Sequence, residues 1–327
     1  MQLLRKLATF DPYSHRPTDM NRNTQTDTTA HTTQTRNPGL TPRQRAFKFP
    51  NALDFIVMAV WVAASQFLGL YLCRTAGIHI PQMSLMSSSD PETLLLAQTG
   101  LARALAAIYT VSMLLATAGV LLYRRLRGAR GRVARCSAQG FDPWIILTGL
   151  VWIIAADVVI EPLLVLLPDV TDTVGRGFFA LLVTVVLAPL FEEFLCRGII
   201  LESFRAKYGV VTAWIVSSVF FAVIHGHVTS MVNALVIGSI LGYICIRARS
   251  IFASAILHAF NNGIALAAIT FGFADTTFRQ LMPNPAIYWS IYALCATVCL
   301  AGALSIGLRL KRISRTEKYA SAAGRMQ

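Results

Sequence analysis

Apolar positions gather into eight runs separated by polar stretches, at about residues 51–73, 94–123, 143–167, 177–200, 211–226, 231–246, 251–271 and 288–310. A helix crossing the hydrocarbon core needs about 20 predominantly apolar residues, so each run predicts a membrane helix, the fifth and sixth being short. The pattern is that of an all-α, polytopic membrane protein with about eight transmembrane helices. Residues 11–46, which include "NRNTQTDTTAHTTQTRN", have no hydrophobic period, and the expectation for 1–46 is a disordered cytoplasmic tail. The leading "MQLLRKLATF" is too short and weakly apolar for a signal peptide, and suits at most an amphipathic turn or two on the membrane surface. One membrane domain is expected over 47–315, with a polar tail over 316–327 and no internal repeat.

Composition agrees. Of 327 residues, 55% are hydrophobic and 14% charged, against roughly 25% charged in soluble domains, and mean hydropathy is +0.56. The net charge of +13 raises nucleic acid as a partner, and the placement of the basic residues decides against it. With the N-terminus inside, the cytoplasmic segments hold eight Lys/Arg before span one, six over 124–142, two over 201–210, two over 247–250 and six after 308. The outer loops hold only Arg74, Arg176 and Arg279. Twenty-four against three follows the positive-inside rule, so the charge is topological and both termini are expected in the cytoplasm, with the plasma (cell) membrane as the expected location. Phosphate binding by "RRLRGARGRVAR" is the weaker reading. The six cysteines show no CxxC pair and read as small buried hydrophobes. The five tryptophans read as interfacial.

Against this background a few polar residues stand out. Span four carries Glu192, Glu193 and Arg197; span five ends in His225; span seven reads "SAILHAFNNG", with His258, Asn261 and Asn262. A charged side chain costs roughly 2.5–3.5 kcal/mol at a membrane helix centre, so these groups are expected to face one another or a wet cavity. Glu193 and Arg197 are four apart and can pair on one face, while Glu192 is turned about 100° away. His258 and Asn262 share a face in the same manner. If span four turns back at Gly209, Glu192 lies 17 residues before the turn and His225 lies 16 after it. Both then stand roughly 25 Å from the hairpin tip, side by side. His258 is 9 residues past Arg249, roughly 13 Å from its own turn, so the first hairpin should project about two turns into the cytosol. A carboxylate among apolar walls, helped by an imidazole, can take a proton from water, and a histidine with an amide can donate to an oxyanion. Such a set can activate water for amide hydrolysis.

Three motifs now stand in order: "EEFLCR", Phe221 to His225 as "FAVIH", and His258 to Asn262 as "HAFNN". Together, over about residues 143–271, they resemble the CAAX protease and bacteriocin-processing (Abi) family of intramembrane proteases. The resemblance implies a membrane protease domain with an intramembrane active-site cavity. It implies Glu192 as the base that activates water with His225, His258 and Asn262 as oxyanion donors, Glu193 and Arg197 as a buried organising pair, and Phe221 packed one turn below His225. The family is often described as metalloproteases. Zn²⁺ on Glu192, His225 and His258 is possible. The HExxH helix of a strong zinc site is missing, and no carboxylate or carbonyl partner for the histidines is visible in the sequence, so weak or absent metal dependence is expected.

Plainer roles have their place. Glu193 and Arg197 suit a structural ion pair, Glu192 could be a second acceptor for Arg197, and either histidine could be a satisfied core residue. Cys196 points away from Glu192 and suits a structural role, His227 a loop. Asp157 and Glu161 of span three are expected to pair with Arg103 of span two. The expected activity is an endopeptidase acting near the cytosolic face. Its substrate would be a lipidated C-terminal peptide, a bacteriocin-like leader or a membrane-protein segment, and its other partner the lipid bilayer. A proton- or cation-coupled transporter is the alternative from another class; the polar residues cluster at one level instead of lining a path. A non-catalytic scaffold or immunity protein is the third, disfavoured by intact motifs. Serine and aspartyl intramembrane proteases lack support, since no Gly-x-Ser-x paired with a histidine and no Gly-x-Gly-Asp occurs.

Overall fold

The computed structural model describes residues 49–129, 133, 142–168, 174–274 and 276–323. The tail expected over 1–46, its leading "MQLLRKLATF" and most of the loop 130–141 lie outside them. Among the described residues there are eight long helices and no strand: α1 (Ala52–Thr75), α2 (Pro91–Leu126), α3 (Pro143–Leu164), α4 (Phe178–Tyr208), α5 (Val210–Val223), α6 (Val228–Ala248), α7 (Ile251–Thr270) and α8 (Pro285–Ala323). Seven are long and apolar enough to cross a membrane, and α5, with 14 residues, is the short one. Large side chains such as Phe67 (75% exposed), Leu166 (81%) and Leu300 (73%) cover the outside. A surface this apolar is compatible with lipid and not with water. The chain is an integral, multi-pass all-α membrane protein.

Side-chain caps and a glycine turn explain where helices begin. Asn51 and Asp54 form a capping box at the start of α1, and Asp90, Asp142 and Ser250 each accept a backbone N–H at the start of α2, α3 and α7. Gly209, at φ +85°, makes the turn from α4 to α5 that a side chain would strain. Asp54 also takes Arg127 Nε (2.8 Å) and Tyr123 Oη (2.7 Å), so the start of α1 is tied to the end of α2 and one arginine of the basic loop is engaged by protein.

Small residues set the helix spacing. A Cβ on Gly119 would overlap the Trp61 indole, and one on Gly69 would overlap Ser112, so α1 and α2 lie close. Gly238 and Gly242 of α6 likewise admit Phe221 and Trp214 of α5. Three of the tryptophans expected at the interface also take part in inter-helix packing. Trp61 Nε1 donates to Leu115 O, Trp214 Nε1 donates to Ser239 O, and Trp152 meets the Tyr243 ring at 5.8 Å. A buried indole N–H needs an acceptor, and carbonyls of neighbouring helices supply one.

Two further expectations change. α3 packs mainly on α6, α7 and α8, so Asp157 and Glu161 do not meet Arg103. Glu161 instead accepts the Phe278 N–H at 2.5 Å, and Arg103 lies over the Phe179 ring at 6.0 Å. The segment after 315 continues α8 as helix to Ala323. Its Glu317 receives Arg205 Nη2 (2.9 Å) and the Val210 N–H (3.3 Å), a free donor at the start of α5. On the other side of the same tip, Lys207 Nζ and Tyr208 Oη both donate to Pro50 O.

Candidate active site

α4 is not a uniform helix. Leu182–Leu187 and Phe194–Leu201 are π-helical and flank the α segment Ala188–Glu193, which ends in the two glutamates. Wide π turns recur at functional sites because they re-aim side chains. The first has a traceable consequence. Ala188 N donates to Val183 O, five residues back, so the next bond in register would run from residue 189 to Thr184 O. Residue 189 is proline and has no N–H. Asn262 Nδ2 of α7 donates to Thr184 O at 3.0 Å in its place. An amide nitrogen carries two hydrogens, so this bond engages one of them.

The second π segment brings the charges together. Arg197 Nη1 lies 3.2 Å from Glu193 Oε1, both side chains being 0% exposed, as the i,i+4 spacing predicts. Arg197 Nη2 donates to Gly238 O (2.9 Å), and its guanidinium lies 4.4 Å from the centre of the Phe221 ring. Phe221 does pack against His225, with ring centroids 4.8 Å apart, and it meets His258 at 5.4 Å as well. One ring thus joins the arginine and both histidines, a hub that motif spacing alone does not reveal.

The histidine partners differ from expectation. His258 Nδ1 lies 3.3 Å from Glu193 Oε1, and its Nε2 lies 3.8 Å from Glu192 Oε2, so this buried ring stands between the two glutamates. His225 makes no hydrogen bond or ion pair with Glu192; its Nδ1 lies 2.6 Å from Phe221 O. A carbonyl only accepts, so that contact places the hydrogen on Nδ1 and leaves the Nε2 lone pair free. The equal-depth estimate fails because it took α4 as α-helical throughout. A π segment rises less per residue, and the register shows it. Cys196 O, 13 residues before Gly209, accepts from Ser217 Oγ, only 8 after it. His225 therefore stands farther from the tip than Glu192 does.

Tyr109 of α2 was missed. Its hydroxyl donates to Glu192 Oε1 at 2.9 Å. It also lines an apolar cavity of about 270 Å³, with Leu105, Ile108, Ala180, Val183 and Thr184. The signal was a single tyrosine within "LARALAAIYTVSMLL", a phenol at mid-span that needs a partner. Cys196 is fully buried, and His227 is an exposed residue at the start of α6.

For a metal, the structure gives two answers. Both histidines have an Nδ1 partner, a carbonyl and a carboxylate, which is the outer support that zinc histidines use and which the sequence hid. Convergence is lacking: among the described residues no three His, Cys, Asp or Glu side chains are grouped to hold a metal ion. As placed, Glu192, His225 and His258 do not fit Zn²⁺.

Residues 175–264 match the family model described as Type II CAAX prenyl endopeptidase Rce1-like. The match is narrower than 143–271, omits α1 to α3 and α8, and contains every residue of the three motifs. No curated protein and no solved structure gives a significant match to the chain. The matched segment carries both glutamates, both histidines and Asn262, so over residues 175–264 the chain is similar to the CAAX protease and bacteriocin-processing family.

Proposed function

We propose that this chain is an intramembrane endopeptidase that hydrolyses a peptide bond near the cytosolic face by activating water. The observation that carries the reading is the gathering of Glu192, Glu193, Arg197, His225 and His258 around Phe221, from three helices otherwise walled by apolar residues. Glu192 takes a proton from water, assisted by the free Nε2 of His225. The water oxygen adds to the peptide carbonyl carbon, and the developing oxyanion is met by the second N–H of Asn262 and by His258 Nε2, a donor when the ring carries a hydrogen on both nitrogens. The proton then passes to the amide nitrogen, the C–N bond breaks, and a carboxylic acid and an amine leave. Glu193 and Arg197 hold His258 and Phe221 in place. The family match supports a lipidated C-terminal peptide as the first substrate to try.

The test is cleavage by purified protein in lipid vesicles of a prenylated Cys-containing C-terminal peptide, a leader peptide and a transmembrane peptide. Mass spectrometry identifies the broken bond. Cleavage of one of these, lost in Glu192→Gln, is the expected result. A protein that cleaves none while moving protons or cations across the vesicle contradicts the proposal in favour of transport. The separation of the three candidate ligands among the described residues supports a metal-free mechanism, and the expected result is that chelation leaves the rate unchanged. Stoichiometric zinc, with activity lost on chelation and restored by adding it back, would contradict this.

A further inference from the structure

We propose that Tyr109 is a positioning residue for Glu192, its hydroxyl holding one carboxylate oxygen so that the other stays turned toward the histidines. The inference rests on the proteolytic reading above and extends the site to α2, which the family match does not reach. Tyr109 Oη donates to Glu192 Oε1 at 2.9 Å, while Oε2 is 3.8 Å from His258 Nε2, beyond hydrogen-bond range. Tyr109 is thus the group that fixes the plane of this carboxylate.

An unheld carboxylate has a competing destination. Arg197, five residues along the same helix, is fully buried. Its Nε and Nη1 have no hydrogen-bond partner, and Nη1 makes only the ion-pair contact with Glu193. Buried guanidinium hydrogens without acceptors draw any mobile carboxylate nearby, because a charge-assisted bond in an apolar setting is strong. A Glu192 turned onto Arg197 would be neutralised and aimed away from the substrate. The Tyr109 hydroxyl opposes that collapse from the opposite helix. The tyrosine ring also closes one wall of the apolar cavity, so a purely structural tyrosine would affect substrate binding and leave turnover alone.

Tyr109→Phe keeps the ring and removes the hydroxyl, and separates these roles. The expected result is a fall in kcat on the order of tenfold, the equivalent of one hydrogen bond to a charged group, with KM unchanged. Unchanged kcat, or a raised KM with kcat intact, would overturn the proposal. A second arm does not depend on cleavage: with Tyr109 replaced by 3-fluorotyrosine, the fluorine resonance should shift on Glu192→Gln and hold on Glu202→Gln. A resonance indifferent to Glu192 overturns the proposal. If the parent chain cleaves no peptide, the proteolytic reading falls while the fluorine comparison still decides whether Tyr109 holds Glu192.

Discussion

At the scale of single residues, the two adjacent glutamates have separate work, and their variants should fail differently. Glu193 is the fully buried partner of Arg197 and His258. Glu193→Gln leaves a buried guanidinium without its counter-charge, a loss of about 3–5 kcal/mol, and thermal unfolding in detergent should show it. Glu192 pairs with no cation of its own beyond His258 at 3.8 Å, so Glu192→Gln should unfold with the parent. The first distinction was legible from spacing, since an i,i+4 carboxylate and guanidinium in an apolar run have one low-energy arrangement. The partners of the histidines were not, because they depend on which atoms of neighbouring helices lie within reach. Phe221 O and Glu193 Oε1 take up both Nδ1 atoms.

At the scale of elements, α4 departs most from an α-helical reading. Spacing predicted its beginning, its turn at Gly209 and its antiparallel partner, and all three hold. What it could not carry was the π geometry, which changes rise and facing without any marker except Pro189. That proline couples two helices through the Thr184 carbonyl and Asn262, and the coupling is measurable. Asn262→Leu in the native background leaves a part-buried carbonyl without this donor, a loss of about 1 kcal/mol. In a Pro189→Ala background the restored N–H can serve Thr184, and the same change should be nearly free. A double-mutant cycle of unfolding midpoints checks this; equal losses in both backgrounds would show that the proline and the asparagine act independently. Gly238→Ala should also destabilise, because its methyl would meet Phe221 and Arg197 Nη2 at once.

Across the whole molecule, hydropathy located the eight helices to within a few residues except at the ends of α4 and α8, which run on to Tyr208 and Ala323, because the bilayer imposes length and composition together on the apolar part alone. Inter-helix detail was less legible. Asp157 and Glu161 were assigned to Arg103 from charge alone, while the packing of α3 on α6, α7 and α8 separates them. The basic asymmetry of the loops predicts that both termini lie in the cytoplasm. The hairpin tip at Gly209 meets Pro50 before α1 and Glu317 late in α8, which puts those three segments on one side. A reporter fused after Gln327 should therefore read cytoplasmic, and an extracytoplasmic signal would reverse the orientation and move the site to the outer face.

The central claim is that a carboxylate, and not the neighbouring thiol, activates the nucleophile. One assay addresses it: Glu192→Gln and Cys196→Ser compared with the parent at matched expression, on whichever peptide the parent cleaves. Cys196 is fully buried and its backbone carbonyl accepts from Ser217 Oγ, so its serine variant should cleave at the parental rate. Removing the base should lower the rate of the glutamine variant on the order of a hundredfold or more. A fully active glutamine variant, or an inactive serine variant in a folded protein, would contradict the account.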